Sequence, residues 1–175
     1  MPAAHEERRV RPAQAQACMV SPWALALLSR IGPGLARSKP DMRVQVLVAD
    51  DDRLICEAHA MLLEQSGEYA AVERAYDGEH ALALKRDRRF DVCAADLHMP
   101  GLNGIDLARK ILEEGLGARV VLVTGSHVPG QARGALAAGC TAYVLKGGSP
   151  REYLEAVRIA AAGGVYLGAS VAQEA

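Results

Sequence analysis

The sequence has few aromatic residues, no closely spaced cysteine pair, no long apolar run and almost no net charge, and each shortage excludes something. One Trp, one Phe and five Tyr in 175 residues cannot build an aromatic core. Abundant Ala and Gly instead suit helices packed closely on a sheet through small side chains. The four cysteines, Cys18, Cys56, Cys93 and Cys140, are widely scattered with no CxxC pair, so neither a zinc site nor a disulfide framework is expected. They read as buried free thiols of a reducing compartment, hence a cytoplasmic protein. Nothing approaches the length of a membrane-spanning helix, and Glu6 and Glu7 dilute the positive start that a secretory leader needs. A net charge of −1 gives no global case for nucleic-acid binding.

The charge that is present is unevenly spread. Residues 1–40 carry six basic and two acidic residues, against fourteen basic and nineteen acidic in the remainder. Five prolines (Pro2, Pro12, Pro22, Pro33 and Pro40) interrupt that basic stretch, so residues 1–41 are expected as a disordered extension. Met42 stands directly before the first regular pattern, where a start codon would also fall.

From Arg43 the pattern becomes regular. Val44 to Ala49 is a β-branched strand run ending at Asp50-Asp51-Asp52, and Leu54, Ile55, Ala58, Met61 and Leu62 then recur at helical spacing as far as Gly67. Strands are expected again over 69–75, before Asp96, before Thr124 and before Lys146, with helices between them. Ser149-Pro150-Arg151-Glu152 reads as a cap with Pro at the first helical position and an acid in the first turn. Five alternations of strand and helix predict an α/β domain over residues 42–163, with a parallel sheet covered by helices on both faces. Residues 164–175 read as a linker remnant or tail.

In such a sheet the strand ends share one rim, where open α/β folds bind ligands. Asp50 and Asp51, Asp96, Thr124 and Lys146 all fall there. Any one Asp at a strand end is commonly a turn former. The ordered set is not. Clustered carboxylates need a cation, and Mg²⁺ takes oxygen ligands while keeping room for a phosphoryl group. Lys146 can neutralise an anion and Thr124 can donate a hydroxyl to it. This combination predicts phosphoryl transfer onto Asp96 as nucleophile.

The segments VQVLVADDDRLICEAH, FDVCAADLHMPGLNGIDLARKIL, VVLVTGS and GCTAYVLKGGSP resemble the response-regulator receiver domain of bacterial two-component systems. The resemblance implies a flavodoxin-like (βα)5 doubly wound fold with a five-stranded parallel sheet. It implies that Asp96 is the phosphoacceptor and that Asp50 and Asp51 form the acidic Mg²⁺ pocket, completed by the backbone carbonyl of His98. Thr124 and Lys146 would engage the phosphoryl group, and Tyr143 would be the aromatic whose rotation accompanies switching. Implied partners are a histidine kinase or phosphotransfer protein, and a second copy through the fourth helix, fifth strand and fifth helix. The stretch PREYLEAVRIAAAGGVYLGASV resembles the last helix and linker of the LuxR-type (NarL/FixJ) subgroup, whose helix-turn-helix domain is not expected in this chain.

Departures from the pattern fall near the switch: Gly125 follows Thr124 where Ala is usual, and Pro129-Gly130 loosens the start of the fourth helix. His98 and Ser126 flank the expected phosphoryl position; His98 could shield the group or order an attacking water. His59 and His80 read as surface residues of helices. Two other functions are compatible with the fold. One is an interaction module independent of phosphorylation, which the complete acid, hydroxyl and lysine set disfavours. The other is an aspartate-nucleophile phosphatase, whose usual second acid two residues on is replaced by His98.

Overall fold

Apolar β-branched runs alternate with amphipathic repeats along the chain, and the backbone follows them. The structure, a computed structural model, describes residues 44–126 and 128–172; the expected extension over residues 1–41 lies outside the described residues, as does Cys18. The elements are β1 (Gln45–Ala49), α1 (Arg53–Ser66), β2 (Ala71–Ala75), α2 (Gly78–Asp87), β3 (Val92–Asp96), α3 (Gly104–Glu113), β4 (Arg119–Thr124), α4 (Gln131–Ala137), β5 (Ala142–Leu145), α5 (Pro150–Ala161), β6 (Tyr166–Leu167) and α6 (Ala169–Ala172).

All strands run parallel in the order β2-β1-β3-β4-β5-β6. The order reverses direction at β1, so a crevice opens between the C-terminal ends of β1 and β3, the position where such sheets bind ligands. The α/β architecture is as expected, with one difference: the sheet has six strands rather than five. Tyr166 N–H donates to Thr141 O at 2.9 Å and Gly168 N–H to Tyr143 O at 2.9 Å. The free edge of β5 thus captures two residues of the segment expected as a linker or tail.

Side chains alternate along the strands and build a core on each face. Leu47, Cys93, Leu122 and Tyr143 pack with Leu82, Leu107, Ile111 and Ala135 from α2, α3 and α4. Val48, Ala94, Val121 and Val144 pack with Cys56, Leu63, Tyr153 and Val157 from α1 and α5. Cys56, Cys93 and Cys140 are buried and free, as expected. Two residues behave otherwise than their sequence context suggests. His59 is half-buried and stacks on Tyr153 with centroids 4.5 Å apart, joining α1 to α5. Lys85, which opens the charged run Lys85-Arg86-Asp87-Arg88-Arg89, is only 4 % exposed, because it lies one helical turn from the buried Ala81.

One glycine sets how closely α3 approaches the rim. A Cβ at position 104 would strike the carbonyl oxygen of Asp96 and lie 2.6 Å from Leu122 Cδ2. Asn103 caps the helix by accepting from Asp106 N–H at 2.9 Å. Gly104→Ala is therefore expected to cost about 1–3 kcal/mol by overpacking. Urea unfolding would show this as a lower midpoint with an unchanged slope, whereas an unchanged midpoint would contradict the close approach.

Candidate functional site

The triplet Asp50-Asp51-Asp52 divides its work as β1 gives way to α1. Asp50 is buried, with 1 % of its surface exposed. Asp51 is exposed at the rim. Asp52 caps α1, accepting from Leu54 N–H at 2.9 Å and Ile55 N–H at 3.3 Å, while its own N–H donates to Asp50 Oδ1 at 3.0 Å. A single local turn thus fixes both the helix start and the orientation of the buried carboxylate.

Asp96 ends β3 in the neighbouring position and is 5 % exposed. Carboxylate oxygens of Asp50, Asp51 and Asp96 lie within 4.8 Å of one another. Lys146, following β5, reaches both buried acids, with Nζ 2.7 Å from Asp50 Oδ2 and 3.1 Å from Asp96 Oδ2. Burial pulls the Lys146 ammonium down, but the hydrogen bonds and charges of Asp50 and Asp96 outweigh it and hold its pKa above the ordinary lysine value. Burial dominates at Asp50 and raises its pKa, although Lys146 and the Asp52 N–H both oppose the shift. One ammonium is shared by two buried carboxylates with a third nearby, and among the described residues the buried Asp96 Oδ1 has no hydrogen-bond partner. An all-oxygen pocket with surplus negative charge and an unpartnered lone-pair donor fits a hard divalent cation such as Mg²⁺.

Thr124 is fully buried at the end of β4, and its carbonyl accepts from Lys146 N–H at 2.8 Å. Its hydroxyl turns into its own loop, donating to Ser126 O at 2.8 Å. Tyr143 is also fully buried. Its hydroxyl donates to Gln131 Oε1 at 2.9 Å, at the start of α4. Burial raises the Tyr143 pKa while a hydrogen bond with Thr124 partly offsets it. The helix that Gln131 begins is weakly anchored: Gly130 precedes it with φ +84° and no side chain caps it. His98 is exposed at the mouth of the site.

The structure thus gathers Asp50, Asp51, Asp96 and Lys146 into one cluster, with Thr124 and Tyr143 beside it on β4 and β5. The sequence did not point to Gln131, whose only signal was a polar residue on an Ala-rich helix, and it placed His59 on the surface, where the structure half-buries it against Tyr153.

A parallel α/β sheet with an acidic pocket at its switch point, and a lysine after β5 reaching into it, defines a flavodoxin-like architecture. Residues 46–158 match the family described as "Response regulator receiver domain". The chain belongs to that family, a class of signalling switches in two-component systems. It is 31% identical over 131 residues to "Response regulator GacA" of Pseudomonas viridiflava, covering 75% of this chain and 61% of that protein. Over 119 residues it is 32% identical to the nitrate/nitrite response regulator protein NarP of Escherichia coli, covering 68% of this chain and 55% of NarP. The chain therefore spans only about three fifths of the length of these curated relatives.

Among solved structures, it superposes on the receiver domain of the putative response regulator NarL from Mycobacterium tuberculosis with a TM-score of 0.67 and 32% identity, covering 70% of this chain and 99% of that one. A LuxR-family response regulator from Aurantimonas gives a TM-score of 0.71 at 30% identity, covering 75% of this chain and 94% of that one. Both comparisons agree with the LuxR/NarL-type resemblance read from the sequence. Among the described residues no helix is long and apolar enough to cross a membrane.

Two outcomes test the electrostatics. Lys146→Met leaves two buried carboxylates uncompensated and is expected to cost about 3–5 kcal/mol in cation-free buffer near neutral pH. Adding Asp96→Asn should recover part of that loss, and equal stabilities for Lys146→Met and wild type would contradict the pairing.

The second concerns His59, whose pKa is lowered by burial and by the Lys146 charge, while Asp96 pulls it back up. A histidine with a depressed native pKa contributes stability that is complete above the ordinary histidine range, about pH 6.5, and is lost as pH falls through the native value. Unfolding midpoints of His59→Phe, which keeps a ring on Tyr153, should fall less steeply than wild type between about pH 7 and 5. Identical slopes would contradict it.

Proposed function

We propose that the chain is a phosphorylation-dependent switch that accepts a phosphoryl group on Asp96 from a histidine kinase or a phosphotransfer protein. One observation carries this reading: a buried Asp96 with an unpartnered oxygen, clustered with two further carboxylates and touched by a single lysine. A carboxylate that only terminated a strand would have its oxygens satisfied by the following turn. Asp96 keeps one oxygen free in a pocket whose other members suit phosphoryl chemistry.

In this reading Asp96 is the nucleophile, and burial excludes bulk water that would compete with it. Asp50, Asp51 and Asp96, with the His98 carbonyl, are the groups that would hold Mg²⁺. When bound, the ion supplies charge neutralisation for the incoming phosphoryl oxygens. Lys146 serves the same end from the other side: its ammonium already touches Asp96 and can donate to a phosphoryl oxygen. Thr124 contributes its hydroxyl once it leaves Ser126. That movement frees the partner of Tyr143, whose ring then follows, and the Gln131 end of α4 loses its outside support.

The transferred group adds about −1.5 to −2 charge at the rim. The face formed by α4, β5 and α5 is the one that would change, and it is the surface we assign to a downstream partner or a second copy. Moving a two-state equilibrium almost completely takes about 5.5 kcal/mol of differential interaction. Chemically this chain is a stoichiometric acceptor, since no second carboxylate follows Asp96 at position 98 to protonate a leaving group.

Incubation with acetyl phosphate and Mg²⁺ should add the mass of one phosphoryl group. Both Asp96→Asn and removal of the cation by EDTA should abolish that gain. A gain that survives Asp96→Asn would overturn the assignment.

A further inference from the structure

Resting on the reading of Asp96 as phosphoacceptor, we propose that Glu152 ties the loop after Lys146 to the C-terminal segment β6–α6, so that occupation of the Asp96 site loosens that segment. The sequence casts Glu152 only as a first-turn acid of α5. Its backbone N–H does donate to the cap Ser149 Oγ at 3.2 Å. Its side chain has a second occupation. Oε1 accepts from Ala169 N–H at 2.7 Å, at the start of α6. Oε2 lies against Gly148, where the Cβ of any other residue would strike it. One carboxylate therefore packs against residue 148, two positions after Lys146, and accepts a hydrogen bond from residue 169, which follows α5 in the chain.

The segment so held is docked rather than trailing. Gly168 N–H donates to the carbonyl of Tyr143 at 2.9 Å, and Val171 is 1 % exposed in the same core cluster as Tyr143. Both contacts land on β5 and its core, and Glu152 joins the same segment to the loop that carries Lys146. In the unphosphorylated protein Lys146 divides its ammonium between Asp50 and Asp96. Phosphoryl oxygens at Asp96 compete with Asp50 for that ammonium, because charge-assisted hydrogen bonds to phosphate are strong. A displacement of Lys146 passes along two residues to Gly148, which can move toward Glu152 only by displacing its carboxylate. The Ala169 N–H then loses its acceptor, and the four-residue α6 lacks the length to hold itself.

Amide hydrogen exchange over residues 164–172, with and without beryllofluoride plus Mg²⁺, reads this directly. The wild-type segment should exchange about five-fold faster with the site filled, the equivalent of losing one net hydrogen bond. Glu152→Gln keeps a carbonyl oxygen for Ala169 and should retain the response. Glu152→Ala should exchange fast from the start and show no further change, with phosphorylation of Asp96 unaffected. Gly148→Ala, which pushes the carboxylate aside without removing it, should behave as Glu152→Ala does and serves if that variant fails to fold.

Wild-type exchange that ignores the filled site, or an alanine variant that still responds, would overturn the coupling. Phosphoryl mass gain from acetyl phosphate on the same samples separates the two readings. Gain without altered exchange removes the coupling alone; absence of any gain removes the phosphoacceptor reading and the coupling with it.

Discussion

Lys146 stands between Asp50 and Asp96, both nearly closed to solvent, with its Nζ 2.7 Å from one carboxylate and 3.1 Å from the other. Taking such charges out of water costs several kcal/mol per ion, and a single ammonium is shared between two buried acids. A domain selected only for stability would replace this cluster with apolar side chains. In the proposed phosphoacceptor, the local stability given up at the rim would serve reactivity. The remainder of the fold holds these groups where their charges remain unbalanced.

That holding begins with the two core layers. Alternating apolar residues on β1, β3 and β4 lock the strand registers, and a slip of one residue would turn Asp96 from the rim into a core face. Gly104 lets α3 press against the carbonyl of Asp96, and Asp52 caps α1 while its N–H aims Asp50. On the other side, the Tyr143–Gln131 hydrogen bond supports a helix whose N-cap, Gly130, offers no side-chain hydrogen bond. The rim is thus rigid where β1 and β3 meet and loosely anchored beside β4 and β5. A switch needs that asymmetry.

The sheet and its rim were legible in the sequence because β1, β3, β4 and β5 carry apolar runs that end at polar residues, whereas β2 has Glu73 and Arg74 inside it. Asp50, Asp96, Thr124 and Lys146 could therefore be placed together without knowing a single contact. What escaped was everything that depends on geometry across the sheet. The run Gly-Gly-Val-Tyr-Leu-Gly carries no period long enough to announce β6, which exists because β5 offers a free edge. His59 reads as an exposed helical residue until Tyr153 from α5 covers it. Glu152 satisfies its local role so well that nothing in the sequence asks for a second one. Residues with one evident role conceal others, and a helical pattern does not say which neighbour covers which turn.

The assignment of Asp96 as the reacting group is tested most directly by locating the modification. After treatment with acetyl phosphate and Mg²⁺, borohydride reduction converts an acyl phosphate on aspartate to homoserine, and tandem mass spectrometry reads its position. Homoserine at position 96, and at no other aspartate, is the predicted result. Homoserine at position 50 or 51, or a stable phosphate on a hydroxyl that borohydride leaves untouched, would contradict it.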